Sequence, residues 1–148
     1  YRDAEISSLP VKLVFGAVGP SCFYPEDWGV FCFDQNPEAA AAMFSVMSGK
    51  QITSDMFGTA AYDEAIKGIS AVAWVNENSV PTVCAYGAYD RMQAFPASIR
   101  LDAALTEYHV PHEYIVCPHS GHGLQNDNKL YGIYMDKVTE YLDRYLGA

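Results

Sequence analysis

Two loops carry the residue types best suited to acid–base chemistry. In Tyr86-Gly87-Ala88-Tyr89-Asp90 an aspartate follows a short apolar run, and in Pro118-His119-Ser120-Gly121-His122-Gly123 a histidine stands between two glycines after another such run. A histidine that takes a proton on Nε2 needs an acceptor on Nδ1, which fixes the tautomer and stabilises the imidazolium. Asp90 is the expected acceptor and His122 the expected base. Gly121 and Gly123 are expected to let the backbone turn sharply and push the ring outward. His119 is the rival base, but it follows Pro118 and lacks the paired glycines. Taken singly, an aspartate after a strand is usually a turn or cap residue and a lone loop histidine a surface one. The two in order, each after its own strand, make the pair worth pursuing.

Other chemistries fit less well. His109/His112 and His119/His122 have H-x-x-H spacing, without the i, i+4 geometry and internal Glu of a helical zinc site, and Pro111 and Gly121 break a helix at both places. No metal is expected. Neither a G-x-G-x-x-G nor a Walker motif occurs, so no nucleotide cofactor is expected either, and the cofactor reading is none. His109 and His112 flank a turn and are expected at the surface; Arg91 is expected to salt-bridge locally. Cys22, Cys32, Cys84 and Cys117 lack C-x-x-C spacing, a pattern that suits reduced, buried thiols and a cytoplasmic protein.

The elements that must hold these loops are legible as apolar runs. Residues 11–18 (VKLVFGAV), closed by Gly19-Pro20, read as a buried strand; 82–86 (TVCAY) and 113–117 (EYIVC) follow Pro81 and Pro111 as a second and third. Between the latter two, Pro96 opens a helix on which Ala97, Leu101, Ala104, Leu105 and Tyr108 share a face. That connection is long enough for a parallel crossover, and both loops would then leave the carboxyl ends of strands, where open α/β sheets bind ligands. Leu130, Tyr134, Val138, Tyr141, Leu142 and Tyr145 mark one face of a last helix that stops at Gly147.

Residues 20–80 hold no clear strand. Pro37 begins an Ala-rich helix ending near Gly49, Thr53-Ser54-Asp55 can cap a short turn, and 60–67 reads as a helix closed by Gly68. The stretch reads as a helical insertion. It is dense in large apolar side chains, and Trp28 and Phe31 are the preferred candidates for a substrate pocket beneath it.

Composition sets the outer bounds. The 148 residues are half apolar and 18% charged, as in a globular body rather than a disordered tail. Nine Lys+Arg against 18 Asp+Glu give a net charge of −9 with no basic cluster, which argues against nucleic acid and anionic membrane as partners. No apolar stretch approaches the roughly 20 residues of a membrane-spanning helix.

From Pro81 to Asp90, through the amphipathic helix and Val110-Pro111-His112-Glu113 to Ser120-Gly121-His122-Gly123-Leu124, the chain resembles the C-terminal half of an α/β-hydrolase. The nearest group is the bacterial esterase/lipase set with acetylesterase-like and prolyl-peptidase-like members. The resemblance extends to Val11 through Pro20 and to Ile69 through Asn78, so that nearly the whole chain is covered, the insertion only loosely. It implies a three-layer α/β/α fold with parallel strands and a cap-like insertion over 20–80, with Asp90 as triad acid and His122 as triad base. It also implies a nucleophile in a G-x-S-x-G elbow on an earlier strand, and no such elbow occurs here. Ser21, Ser70 and Ser120 lack its glycines. The missing half is expected upstream, with Tyr1 to Asp3 as the tail of the helix that follows the elbow.

Three readings remain. The chain is the acid, base and cap portion of a serine ester hydrolase acting on a small acyl ester and inactive alone. Or it is a serine peptidase of the same fold. Or it is a non-catalytic assembly module that pairs, as a homodimer or with an N-terminal-half partner, through the edge of the strand at 11–18.

Overall fold

The computed structural model describes residues 10–31, 33 and 35–147, without the side chains of residues 30 and 31. The expected helix tail at Tyr1 to Asp3, Cys32 and the Phe31 side chain therefore lie outside the described residues.

Three strands, β1 (Val14–Ala17), β2 (Thr82–Gly87) and β3 (His112–Cys117), form one sheet in the order β1-β2-β3. All pairing is parallel. Val14 lies opposite Thr82 and Ala17 opposite Ala85; on the other side of β2, Thr82 lies opposite His112 and Gly87 opposite Cys117. The central strand is buried at every position, as a continuous apolar run in a parallel sheet requires.

Alternation along the strands assigns the helices to faces. Val83, Ala85, Ile115 and Cys117 point to the side where α4 (Asn128–Leu146) lays down Tyr134 and Tyr141. Tyr114, and with it Cys84 and Tyr86, point to the opposite side, where Ser98 Oγ of α3 (Phe95–Glu107) lies 2.7 Å from the Tyr114 hydroxyl. The result is a mixed α/β structure with a helix on each face. Helix α4 ends where Gly147 turns left-handed at φ 67°.

The first strand departs from its expectation. It is shorter than 11–18, and it is not buried: Val14 is 44% and Phe15 39% exposed. Helices α3 and α4 pack on β2 and β3, and among the described residues no strand pairs with the other edge of β1.

Residues 20–80 contain α1 (Pro37–Ser48) and α2 (Ala60–Ile66), with a 3-10 segment at Pro25–Phe31 that is kinked at Trp28 and short 3-10 turns at Ser54–Met56, Lys67–Ile69 and Ala71–Trp74. Asn36 caps α1 by accepting from Ala39 N, with Pro37 in the first turn, and Gly49 ends it at φ 67°. Thr53, by contrast, makes no side-chain cap to the turn it precedes. The segment has its own aromatic core. Phe23 stacks on Trp28 with ring centroids 5.6 Å apart, Phe44 meets both edge-on, and the Tyr62 hydroxyl donates to Phe23 O. This core continues into the start of α3 through Ala94 and Ala97. Arg100 on α3 donates from Nε and Nη2 to the two oxygens of buried Asp27, at 3.0 and 2.8 Å. Such a two-pronged charged bond fixes orientation as well as distance, so the insertion is tied to the helix layer beside the sheet.

Candidate active site

The loops after β2 and β3 are built onto each other by their backbones. Ala88 N donates to Cys117 O and Tyr89 N to Ser120 O, both at 3.0 Å. Gly87 makes the approach possible: a Cβ there would press on Gly121 O and lie 2.5 Å from Ser120 O. Gly121 serves the same contact from the other side, since its own Cβ would lie 3.3 Å from Tyr89 O.

That contact brings the two expected residues together. Asp90 Oδ2 lies 2.9 Å from His122 Nδ1. The carboxylate is buried, its side chain 1% exposed, whereas the imidazole is 42% exposed. Asp90 Oδ1 accepts from Met92 N at 2.7 Å and Gln93 N at 2.9 Å, so the carboxylate is held from three directions. Nε2 of His122 has no hydrogen-bond partner among the described residues. The pair can therefore do one thing chemically: accept a proton on Nε2 while Asp90 receives the Nδ1–H bond.

The turn that presents His122 is not made as expected. Neither Gly121 nor Gly123 has a positive φ; the left-handed residue is Leu124, at φ 53°, with its side chain buried to 3% among Val83, Ile115 and Tyr134. Burial of the leucine stabilises a backbone conformation that its Cβ disfavours.

A second aspartate, which sequence reasoning passed over, braces this loop. Asp127 Oδ2 accepts from His119 N at 2.9 Å and from Ser120 Oγ at 2.6 Å, and Oδ1 lies 2.9 Å from His119 Nδ1. Ser120 Oγ in turn accepts from Asn126 N. Burial raises the Asp127 pKa, and the bonds from Ser120 and His119 outweigh it, holding the carboxyl below the ordinary aspartate value. Its position just ahead of α4 was the available signal, but Asp at that place reads as a helix cap. It makes no side-chain cap here because both oxygens serve the loop.

The remaining candidates divide. Trp28 lines a cavity of about 360 Å³ that His122 also borders. Ser21, Ser70 and Ser120 are buried at 0%, 4% and 0% exposure, and Ser21 bonds the Tyr86 hydroxyl. Burial pushes the Cys84 thiol up to about 12 and Cys22 up to about 11, so neither supplies a thiolate nucleophile. His112 corrects its surface assignment: it is half-buried, with Nδ1 2.7 Å from Val110 O and Nε2 3.1 Å from Asp102 Oδ1. Arg91 is exposed and makes no salt bridge among the described residues; Arg100 is the arginine that pairs.

Comparison with known proteins gives a fold-level likeness. No family model matches the chain, and no curated relative does. A solved structure described as a truncated form of carbohydrate esterase from gut microbiota is similar over 88% of this chain, with a TM-score of 0.64 and 18% sequence identity. The chain spans 42% of that esterase's length. At that identity the likeness is one of fold. No helix among the described residues is long and apolar enough to cross a membrane.

Proposed function

We propose that this chain is the acid-and-base portion of a serine carboxylic-ester hydrolase of the α/β-hydrolase type. The Asp90–His122 pair carries the reading: a buried carboxylate on Nδ1, an exposed imidazole with Nε2 open, both on loops that leave parallel strands at their carboxyl ends. The fold-level likeness to a carbohydrate esterase more than twice as long supports it. The nucleophile is a serine on an elbow supplied by upstream sequence, whose strand pairs with the open edge of β1.

In the proposed reaction that serine Oγ attacks the ester carbonyl while His122 Nε2 takes its proton. The imidazolium, oriented by Asp90, returns the proton to the leaving alkoxide, which departs as the alcohol. Water then attacks the acyl-enzyme, gives its proton to the same nitrogen, and releases the acid and the free serine. The same machinery serves a peptide bond, so a peptidase is the variant of this reading that substrate choice alone separates.

The test is chemical labelling of the longer natural protein with a serine-directed fluorophosphonate. One labelled serine, within a G-x-S-x-G elbow and lost after His122→Ala, is the expected result. Absence of any labelled serine removes the proposal.

A second reading has its own observation. The exposed Val14 and Phe15 on a strand with one unpaired edge suit a non-catalytic module that pairs with another copy. Light scattering separates the two: the module reading requires a dimer or larger assembly, and a monomer removes it.

A further inference from the structure

The cavity beside His122 has a wall that says what it would hold. It is an open cleft of about 360 Å³ between the sheet ends and the insertion. Met43 and Met47, one turn apart on α1, form one side; Met92, on the Asp90 turn, forms another, with Phe23, Trp28 and Phe33 between. Among the described residues no acidic side chain, lysine or arginine lines it. That is not general for this molecule, since the cavity of about 330 Å³ beside α2 is bordered by Asp63, Glu64 and Lys67.

We infer that this cavity is an acyl pocket for an aromatic acyl group, with the ester carbonyl at the His122 end, and not a site for a sugar ring or for acetyl. The inference rests on the ester-hydrolase reading for the identity of the group and on the cavity for its shape. Size excludes acetyl as the fitting occupant: a dry cavity of about 150 Å³ already holds a benzene ring, and twice that space accepts a ring with a short linker. Chemistry excludes the sugar. Each hydroxyl turned to this wall needs a partner, and among the described residues the polar groups on the wall are the Trp28 indole N–H, Gln93 and His122, of which Gln93 already donates to Ala94 O at 3.2 Å. Methionine thioethers adapt to and favour aromatic faces, and three of them line the cavity.

The wall and the acid–base pair are one piece of structure. Met92 N donates to Asp90 Oδ1, so the residue that borders the pocket also positions the carboxylate. Val18 borders the pocket at φ 50°, a left-handed conformation that a β-branched residue strongly disfavours, held by its N–H bond to Ala85 O at 2.9 Å. The carbonyl end of β1 is thus fixed in a strained form at the mouth of the cavity.

The test titrates the chain, with methionine methyls carbon-labelled, with 3-phenylpropanoate, acetate and xylose in turn. Saturable shifts of the Met43, Met47 and Met92 methyls with 3-phenylpropanoate, and none with acetate or xylose at the same concentrations, are expected. Absence of saturation with 3-phenylpropanoate, or equal shifts with either of the other two, overturns the inference. Met47→Glu and Met92→Glu change exposed positions, 42% and 63%, on separate walls. Each is expected to weaken binding at least tenfold, and unchanged binding in both overturns the assignment. Hydrolysis by the longer protein separates this inference from the one beneath it. Turnover of neither an acetyl nor a phenylpropanoyl ester removes the hydrolase reading while the titration decides the pocket. Turnover that favours acetyl overturns the pocket.

Discussion

At the scale of single residues, two aspartates divide the labour. Asp90 bonds Nδ1 of His122 and is the proposed orienter of that ring, and Asp127 holds the loop that carries it. Asp90→Asn keeps the size but replaces a pure acceptor with an amide, so in the longer protein ester turnover should fall by about 10³- to 10⁴-fold while the chain stays folded. Turnover within tenfold of the parent would contradict the orienting role. For Asp127 the sign of the pH effect follows from its lowered pKa. The stabilisation is complete above the ordinary aspartate value of 3.8 and is lost as pH falls through the lower folded value. Asp127→Asn should therefore flatten the acid side of a urea-unfolding series taken between about pH 5 and pH 2; an unchanged acid slope would count against it. The meeting of Asp90 and His122 could be read from the sequence because each follows its own apolar run. Asp127 could not, since its bonds fold back within one loop and its place before α4 mimics a cap. Leu124 was hidden for a related reason, because two neighbouring glycines offered the turn more cheaply.

At the scale of elements, Gly87 is the joint between the two loops, and its missing side chain lets β2 and the His loop touch. Gly87→Ala should cost about 1–3 kcal/mol through overpacking and, more tellingly, separate the carboxylate from the ring. The low-field imidazole proton of His122 reports that separation, and its persistence in the variant would show that the joint is not needed. On the far face, Tyr134 and Tyr141 cover β2 and β3, and truncation of Tyr134, 6% exposed, to Ala should cost about 3 kcal/mol by urea unfolding. The helices were legible because their faces recur at helical spacing and Pro37, Gly49, Pro96 and Gly147 mark ends. Bounds moved by a residue or so: α3 begins at Phe95 and β3 at His112. The first strand was the larger miss. Its apolar run is indistinguishable from that of a covered strand, and only the positions of α3 and α4 show that its side chains stay exposed.

At the scale of the whole molecule, a three-stranded parallel sheet ends on one side at a short strand with an open edge, and the acid–base pair stands at the carboxyl end of the other two strands. The edge of β1 has no neighbour among the described residues, and the proposed base needs a nucleophile. A strand bearing the serine, added at β1, would answer both. The measurement that tests this most directly is p-nitrophenyl ester turnover by the longer protein carrying either His122→Ala or His119→Ala. The expected result is a loss of at least about 10⁴-fold for the first with most activity kept in the second, where Asp127 retains its bond from Ser120. The contradicting result is the reverse order, or full activity without His122.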